Sequence, residues 1–298
     1  NVTQLTKIKK HKKNTQNNIK SINTLMKYAL KSDLRWDVFD YNFQELVNTL
    51  SDNDKNIIKD LFYIGDGELS GTAMIFEFMT LAKASKEEAL FAESLLYGSN
   101  VIVYDEFRHG MILKELNSNL DNKSYFDNVE GKELQHYIFA DTSPWKTPYE
   151  ILVSFFLGEI INSELYFDVA KHIENHTLKD IVINIAKDEV RHKKAWFELS
   201  KNLCNTSEEA KEKYFEAVKQ AHFIHQAEVG DNYEKGAFSV QKYYQKETVN
   251  KINQQKYSML KEILGDTLTL TEKEMRIQYT LSIANHYKEY KQLLNKEN

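Results

Sequence analysis

The feature that most constrains this chain is a five-residue sequence that occurs twice. Asp105-Glu106-Phe107-Arg108-His109 returns as Asp188-Glu189-Val190-Arg191-His192, 83 residues later, with four of the five positions identical. On a helix, a Glu and a His three residues apart lie on one face, about one turn apart. Two such pairs, with one further Glu from each of two other helices, form a ligand set that can hold two metal ions. The doubled motif therefore predicts helices that bring its two copies together.

The composition favours long helices within one domain. Only two prolines and ten glycines interrupt 298 residues, of which 42% are hydrophobic. No Pro/Gly/Ser-rich linker divides the chain. We therefore expect a single all-α domain over residues 1–298, with its core at about 54–202. The basic run within residues 1–16 is expected to be a disordered tail, with docking of an acidic partner as the alternative.

Charge and cysteine usage exclude several classes of protein. The net charge is −5 with mixed signs, which argues against nucleic-acid binding. The single cysteine, Cys204, rules out an internal disulfide framework and fits a reducing cytosol. No apolar run reaches the roughly 20 residues of a membrane span, and the start at Asn1 shows no signal-peptide core. We expect a cytoplasmic protein.

Helix starts are predicted where a Ser or Thr is followed three residues later by an acid. One of these starts has Pro148 at its first helical position, where the missing N–H has no cost. The predicted N-caps are Ser51, Ser85, Thr147, Thr177 and Thr271, and Thr206 opens a further helix.

These starts, with the 3.6-residue apolar periodicity, predict two antiparallel helical hairpins. One long crossover between two hairpins is the ferritin-like variant of the four-helix bundle, here with additional N- and C-terminal helices. The motif occurs on the second helix of each hairpin. The predicted hairpins are 54–82 with 86–116 and 148–174 with 178–202, joined by a crossover at 117–146 with a short helix around 131–139. Other helices are expected from about Ile19 to Leu30 and over 206–227, 236–263 and 272–295.

The second hairpin offers Glu159 or Glu164 as the carboxylate of its first helix. Glu189 lies 12 residues beyond the predicted loop at Thr177, so an antiparallel partner should lie a similar distance before the loop. Glu159 stands 18 residues before Thr177 and Glu164 stands 13. Once a few residues are allowed for the turn, the distance from the loop does not decide between them. Glu159 follows apolar, phenylalanine-rich sequence, whereas Glu164 lies nearer the polar flank. This context favours Glu159 and leaves Glu164 open.

The first hairpin offers Glu68 or Glu77. Glu106 lies 21 residues past Ser85, while Glu68 lies 17 residues before it and Glu77 only 8. At about 1.5 Å per residue, Glu77 would lie roughly 20 Å from the level of Glu106. Glu68 is therefore favoured. A break in the helix at Gly98-Ser99-Asn100 would instead favour Glu77.

The residue types suit iron. Carboxylate oxygens and imidazole nitrogens are suitable ligands for iron(II) and iron(III). The positive charge of the metal also compensates the cost of burying several acids. Each His needs a partner that fixes its tautomer. We expect Asp105 and Asp188 to provide it by reaching across to the opposite His. Arg108 and Arg191 point away from the Glu of their own motif and are expected to form ion pairs with neighbouring helices.

The paired motifs resemble the signature of the ferritin-like non-haem di-iron oxidases and oxygenases. That superfamily includes soluble acyl-carrier-protein desaturases, bacterial multicomponent monooxygenases and p-aminobenzoate N-oxygenases. The resemblance covers about residues 55–200 and is specific at the two motifs. Glu106-Phe107-Arg108-His109-Gly110 followed by Leu113 is similar to the first desaturase motif, and Lys187-Asp188-Glu189-Val190-Arg191-His192 is similar to the second. The N-oxygenase pattern has an additional His where this chain has Ile185.

The resemblance implies an O₂-activating enzyme with two iron ions, or manganese in one position, and an external electron donor such as a ferredoxin. Its substrate would be an apolar acyl-chain or aromatic molecule, free or carrier-bound, oxidised by desaturation, hydroxylation or N-oxygenation. A homodimer is compatible with this assignment. The implied metal ligands are Glu68, Glu106, His109, Glu159, Glu189 and His192.

Two other classes remain as alternatives. A ferritin- or rubrerythrin-like protein would store iron or scavenge peroxide. The chain is long for a bare bundle, with added helices from residue 206 onward, and it has no Cys-x-x-Cys for a rubredoxin module. A non-catalytic interaction protein could retain the bundle with a structural metal.

Several other residues are candidates for minor roles. Three tyrosines are expected near the metal ligands, with packing as their main use and substrate contact or redox activity as the alternative: Tyr97, Tyr104 and Tyr166. Apolar residues expected to line a substrate cavity are Ile102, Leu113, Phe155, Phe156 and Phe167. The cluster His222, His225 and Glu228 is expected to be a partly exposed helix face.

Overall fold

The structure, a computed structural model, describes residues 36–135, 137, 145–224 and 240–276. Within these ranges every regular element is helical, which confirms the predicted all-α class. None of the helices described there is long and apolar enough to cross a membrane. The α-helices are α1 Phe43–Asn48, α2 Asp52–Ser85, α3 Glu88–Tyr97, α4 Val103–Asn119, α5 Tyr125–Asn128, α6 Gly131–Gln135, α7 Pro148–Lys171, α8 His176–Cys204, α9 Glu208–Ile224 and α10 Lys246–Leu264.

The helices form two long hairpins. Helix α2 packs along α4, α7 packs along α8, and α2 also contacts α7. Helices α9 and α10 both pack against the second hairpin, α7 and α8. The N-terminal α1 and the short α5 contact α4. The two predicted hairpins are therefore present, each with its motif on the second long helix.

The buried apolar side chains separate into two clusters, and the boundary between them falls at the same level in all four long helices. In α2 one cluster ends at Ile64 and the other begins at Ile75, and in α8 the change lies between Ala186 and Ala195. The motif residues occupy the level between the clusters. The fold thus holds a polar layer between two apolar halves.

Three helix starts were predicted correctly. Ser51 and Thr147 accept hydrogen bonds from the backbone N–H three residues later, as N-cap residues do. Thr271 and Glu274 form a reciprocal capping box, in which the Glu274 carboxylate accepts from the Thr271 N–H at 2.8 Å. Pro148 occupies the first turn of α7, as its fixed φ favours.

Three other predicted caps were wrong by one or two residues. The N-cap of α3 is Glu87, because α2 continues through Ser85. The N-cap of α8 is Asn175 rather than Thr177, since the Asn175 side chain accepts from the Leu178 N–H. At α9, Ser207 accepts from Ala210 N–H at 3.0 Å. Ser and Asn are better N-cap residues than Thr, so the neighbouring Ser207 and Asn175 cap in place of the predicted threonines.

The helix predicted over 86–116 is interrupted by a π-helical turn at Gly98–Ile102, and α4 then runs on to Asn119. A Cβ added to Gly98 would lie 2.3 Å from Ile75 Cδ1, so a side chain at this position would collide with α2. The wider turn changes the register of the helix without ending it. The possible break at residues 98–100 is therefore a change of pitch.

Of the two C-terminal helices, one begins at Glu272 as predicted and the other differs from its prediction. Within the described residues, the region predicted as one helix over 236–263 is interrupted by a 3₁₀ turn at Gln241–Tyr243 and non-helical residues 244–245, and α10 begins at Lys246. The tail at 1–16, the helix from Ile19 and most of the helix predicted over 272–295 lie outside the described residues. The same holds for His225 and Glu228.

Candidate metal centre

The six side chains named as metal ligands meet in the polar layer between the two hairpins. Each is at most 6% exposed. Potential ligand atoms form two groups, each with atoms within 4.8 Å of one another, and Glu106 and Glu189 belong to both. We call the six together the Glu/His cluster: Glu68, Glu106, His109, Glu159, Glu189 and His192.

The structure separates the open alternatives for the first helix of each hairpin. Glu159 faces the cluster, whereas Glu164 accepts hydrogen bonds from Lys251 at 2.7 Å and Gln255 at 2.8 Å on α10. Glu68 also joins the cluster. Glu77 belongs to neither group of ligand atoms and is partly exposed.

The two histidines bring their Nδ1 atoms to opposite ends of the cluster. His109 Nδ1 lies 3.0 Å from Glu189 Oε1 and 3.4 Å from Glu68 Oε2. His192 Nδ1 lies 3.1 Å from Glu106 Oε1 and 3.6 Å from Glu159 Oε1. The ring centroids are 6.1 Å apart. Each His thus meets the Glu of the other motif and the Glu of one first helix.

Unsatisfied polar atoms test whether this set suits a metal. Every member of the Glu/His cluster has at least one buried oxygen or ring nitrogen without a hydrogen-bond partner, and Glu189 has two such oxygens. Buried polar atoms in proteins are normally paired, because leaving them unpaired is costly. Here the unpaired atoms belong to six residues that face one another. Carboxylate oxygens and imidazole nitrogens in this arrangement fit a pair of metal ions.

The aspartates of the two motifs fix the outer nitrogens of the histidines. His109 Nε2 lies 3.0 Å from Asp188 Oδ2, and His192 Nε2 lies 2.9 Å from Asp105 Oδ2. The cross-pairing predicted from the sequence is therefore present. Burial would raise the pKa of Asp188, but the contact with His109 outweighs it and holds that pKa below the usual value. An ionised carboxylate can only accept, so Nε2 carries a proton.

The arginines complete a closed ring with the same aspartates. Arg108 Nη2 donates to Asp105 at 3.0 Å and to Asp188 at 2.5 Å. Arg191 donates to Asp188 at 2.7 Å and also to Asp105. The predicted ion pairs to neighbouring helices are confirmed. We call these four residues the Asp/Arg ring. Its two positive and two negative charges cancel, which offsets the burial of ionic groups.

Trp36 binds the Asp/Arg ring from outside. Its indole N–H donates to Asp188 Oδ2 at 2.9 Å, and its carbonyl accepts from Arg108 Nη1 at 3.0 Å. This contact could not be predicted, because Trp36 precedes the hairpins and no helical spacing connects it to the motif. Only the tertiary fold brings it to Asp188.

Burial and crowding shift the pKa values within the Glu/His cluster. Burial raises the pKa of Glu106 well above its ordinary value, and the carboxylates of Glu189 and Glu68 add to this. Burial also raises the pKa of Glu159, with Glu189 as the next cause. The pKa of His109 is raised because contacts with Asp188 and Glu189 outweigh its burial. Protons thus offset the mutual repulsion of the acids, and a bound metal would displace them.

A tyrosine binds one glutamate of the cluster, and a glycine leaves room for another. Tyr166, fully buried, donates its hydroxyl proton to Glu68 Oε1. The sequence placed Tyr166 nearby but did not identify this bond. At Gly71, an added Cβ would lie 3.0 Å from Glu106 Cγ, so the absence of a side chain makes room for that glutamate. Neither contact follows from helical spacing alone.

Tyr104, which was expected beside the cluster, lies at the surface instead, as does Phe107 of the first motif. Tyr104 is 53% exposed and Phe107 is 43% exposed. Both line a surface pocket of about 570 Å³ together with Trp36, Phe39 and other residues. Tyr104 precedes Glu106 by two residues on α4, about 200° around the helix, so its side chain faces away from the cluster. The residues expected to line a cavity are buried except Phe167, which is partly exposed.

Comparison with known proteins adds no assignment. Neither the family models nor the curated proteins contain a match to this chain.

Proposed function

We propose that this protein is an O₂-activating non-haem di-iron oxidase or oxygenase that acts on an apolar substrate, an acyl chain or an aromatic molecule. We also propose that its helices form a ferritin-like four-helix bundle with additional terminal helices. The order of two long hairpins with a crossover between them supports this architecture, as does the placement of one Glu and one Glu-x-x-His per hairpin.

The single observation that carries the proposal is the set of unpaired atoms in the Glu/His cluster. Four carboxylates and two imidazoles buried in a core would be destabilising without a cation. Their unpaired atoms face inward, while the outer nitrogens of both histidines are held by aspartates. This arrangement leaves each Nδ1 free to bind a metal.

Each residue of the cluster has a role in this proposal. Glu68 and His109 would hold one metal, Glu159 and His192 would hold the other, and Glu106 and Glu189, which belong to both groups of ligand atoms, would help to hold both. When bound, the two irons supply the activation of O₂ and the oxidation of the substrate. The Asp/Arg ring holds the imidazoles in place, and the apolar clusters on either side exclude water.

The remaining components follow from that chemistry. Electrons would come from an external donor such as a ferredoxin. The buried walls next to the cluster are aliphatic and aromatic, which suits a free or carrier-bound apolar substrate better than a charged one. Desaturation, hydroxylation and N-oxygenation all use such a centre, and we propose the class rather than one of the three reactions.

Metal analysis tests the proposal directly. Purified protein loaded with iron(II) should hold about two metal ions per chain. Glu106→Ala and His192→Ala should each lose most of the metal, because each removes a ligand from the core of the cluster. Glu164→Ala is the matched control, since Glu164 lies on the same helix as Glu159 but bonds to α10. Full metal content in both ligand variants would contradict the assignment.

Oxygen consumption then separates the enzyme from its alternatives. An oxidase or oxygenase should consume O₂ in the presence of a chemical reductant and a substrate. Large cages filled with iron would favour storage, and metal without O₂ turnover would favour a structural role.

A further inference from the structure

We propose that Tyr97 and Trp196 bind a carbonyl oxygen of the substrate on the His192 side of the Glu/His cluster. This inference rests on the proposed function and deepens it, because it selects the side on which the substrate binds and the polar group it carries. It is carried by two buried donors that have no partner within the described residues.

Three aromatic side chains form a layer one helical turn from this side of the cluster. Phe155 precedes Glu159 by four residues on α7, and Trp196 follows His192 by four on α8, so each ring lies next to a cluster residue along its own helix. The rings of Phe155 and Trp196 are stacked, with centroids 5.0 Å apart and an interplanar angle of 16°. Tyr97 meets Trp196 edge to face at 5.3 Å.

Both polar atoms of this layer are unsatisfied. Tyr97 is 2% exposed and Trp196 is 0% exposed, and neither Tyr97 Oη nor Trp196 Nε1 has a hydrogen-bond partner in the described part of the chain. Native cores rarely leave such groups unpaired, so a ligand or an ordered water should accept from them. Tyr97 packs against Trp196, which follows His192 by one helical turn, so its side chain also lies on that side of the cluster.

The chemistry of the two donors defines the group they can bind. An indole N–H can only donate, and burial raises the pKa of Tyr97, so its hydroxyl stays protonated. The ligand group must therefore be an acceptor. The nearby cation, Arg191, already binds Asp105 and Asp188. A neutral carbonyl oxygen consequently suits the layer better than a carboxylate.

Tyr166 lies on the opposite side of the cluster, and its hydroxyl is not available to a ligand. Its hydroxyl already donates to Glu68. The two tyrosines near the cluster therefore differ: one supports a proposed metal ligand, and the other is available to an incoming molecule. This difference assigns substrate binding to the His192 side.

A matched pair of probes tests the inference. Acetophenone and α-methylstyrene have similar shapes, but only the first has a carbonyl in place of a methylene group. Dissociation constants would be measured for both with iron(II)-loaded protein in the absence of O₂. Wild-type protein should bind acetophenone more tightly. Tyr97→Phe should weaken acetophenone binding roughly 2- to 10-fold, as expected for one hydrogen bond, and leave α-methylstyrene binding unchanged. Trp196→Phe should also reduce the preference for the carbonyl.

Tyr149→Phe is the control variant. Tyr149 is buried and its hydroxyl also lacks a partner among the described residues, but it interacts with Glu87 and Lys213 rather than with the cluster. It should leave both dissociation constants unchanged. An unchanged carbonyl preference in Tyr97→Phe, equal weakening of both probes, or no binding of acetophenone to wild-type protein would each overturn the inference. Metal content would be measured on the same samples. If Tyr97→Phe and wild-type protein both hold two metals, a negative binding result contradicts only this inference; if wild-type protein holds no metal, the proposed function itself fails.

Discussion

Asp188, beside the Glu/His cluster, contacts four side chains. Its two carboxylate oxygens contact His109, Arg108, Arg191 and Trp36. A carboxylate accepts all these bonds, whereas an amide offers one accepting oxygen and turns two donors toward cationic neighbours. The position therefore requires an ionised acid.

Asp188→Asn should weaken metal binding by about 10- to 100-fold, because the His109 ring loses the partner that fixes it. Competition with a metal chelator would measure this change, and circular dichroism would check that the helices remain. Asp168→Asn is a suitable control, since Asp168 is equally buried on α7 but bonds to Lys171 and the Gln245 backbone. Equal metal affinity in the two variants would mean that Asp188 has no part in holding the metal.

At the residue scale, the sequence predicted those contacts that helical spacing determines. The cross-pairing of Asp105 with His192 follows from two equal motifs on facing helices. Trp36 and Gly71 could not be predicted, because their roles depend on how closely separate segments approach. Depth along a helix also failed to choose between Glu159 and Glu164, which differ by five residues. The partners of Glu164 on α10 explain its different position.

At the scale of the helices, the approach of α2 to α4 depends on two glycines. A Cβ at Gly110 would lie 2.5 Å from Leu69 Cγ and 2.8 Å from the Gly65 carbonyl oxygen. The second contact is with backbone, so a rotamer change could not relieve it. The two helices cross closely here, directly after the first motif.

Gly110→Ala should therefore lower the free energy of unfolding by about 1–3 kcal/mol, as overpacking in a close-packed core does. Urea denaturation would measure the change. Gly158→Ala provides the comparison, because Gly158 lies within α7 and a Cβ there meets nothing within 4 Å. That change should raise the free energy of unfolding by about 0.4–1 kcal/mol. A stable Gly110→Ala variant would show that α2 and α4 can separate without cost.

Helix starts were predicted correctly at Ser51 and Thr147, where the Ser or Thr of the expected pattern is the cap. At the start of α8 the prediction failed, because both Asn175 and Thr177 can cap a helix and the asparagine does so. The π turn at Gly98–Ile102 could not be derived from periodicity, and the close approach of its Gly98 to Ile75 involves a separate helix.

At the scale of the whole molecule, the layer of charged groups lies between two apolar clusters. Under the proposed function, a substrate at the Glu/His cluster would lie against buried aliphatic and aromatic side chains of these two apolar clusters. Each buried methylene contributes about 0.8 kcal/mol to binding there. The ring arginines are already paired with aspartates, so a charged substrate would lack a counterion from them.

We therefore expect acyl carriers, fatty acyl compounds or aryl amines to stimulate oxygen uptake by iron-loaded protein in the presence of a chemical reductant. Small hydrophilic amino acids should have no effect at equal concentration. Uptake would be recorded with an oxygen electrode, using Glu106→Ala as the metal-deficient control. Stimulation by small amino acids alone would contradict the proposed apolar substrate and would mean that one arginine of the Asp/Arg ring binds substrate.

The Asp/Arg ring has the symmetry of an interface between identical subunits. Asp105 meets His192 as Asp188 meets His109, and each arginine crosses to the aspartate of the other motif. In a symmetric dimer, every such contact occurs twice in this manner. A single hairpin with one motif would therefore be complementary to its own copy, and two copies would supply all six cluster residues. Within one chain the halves are free to diverge: Tyr166 supports Glu68, Tyr97 remains available, and α9 and α10 cover the second hairpin.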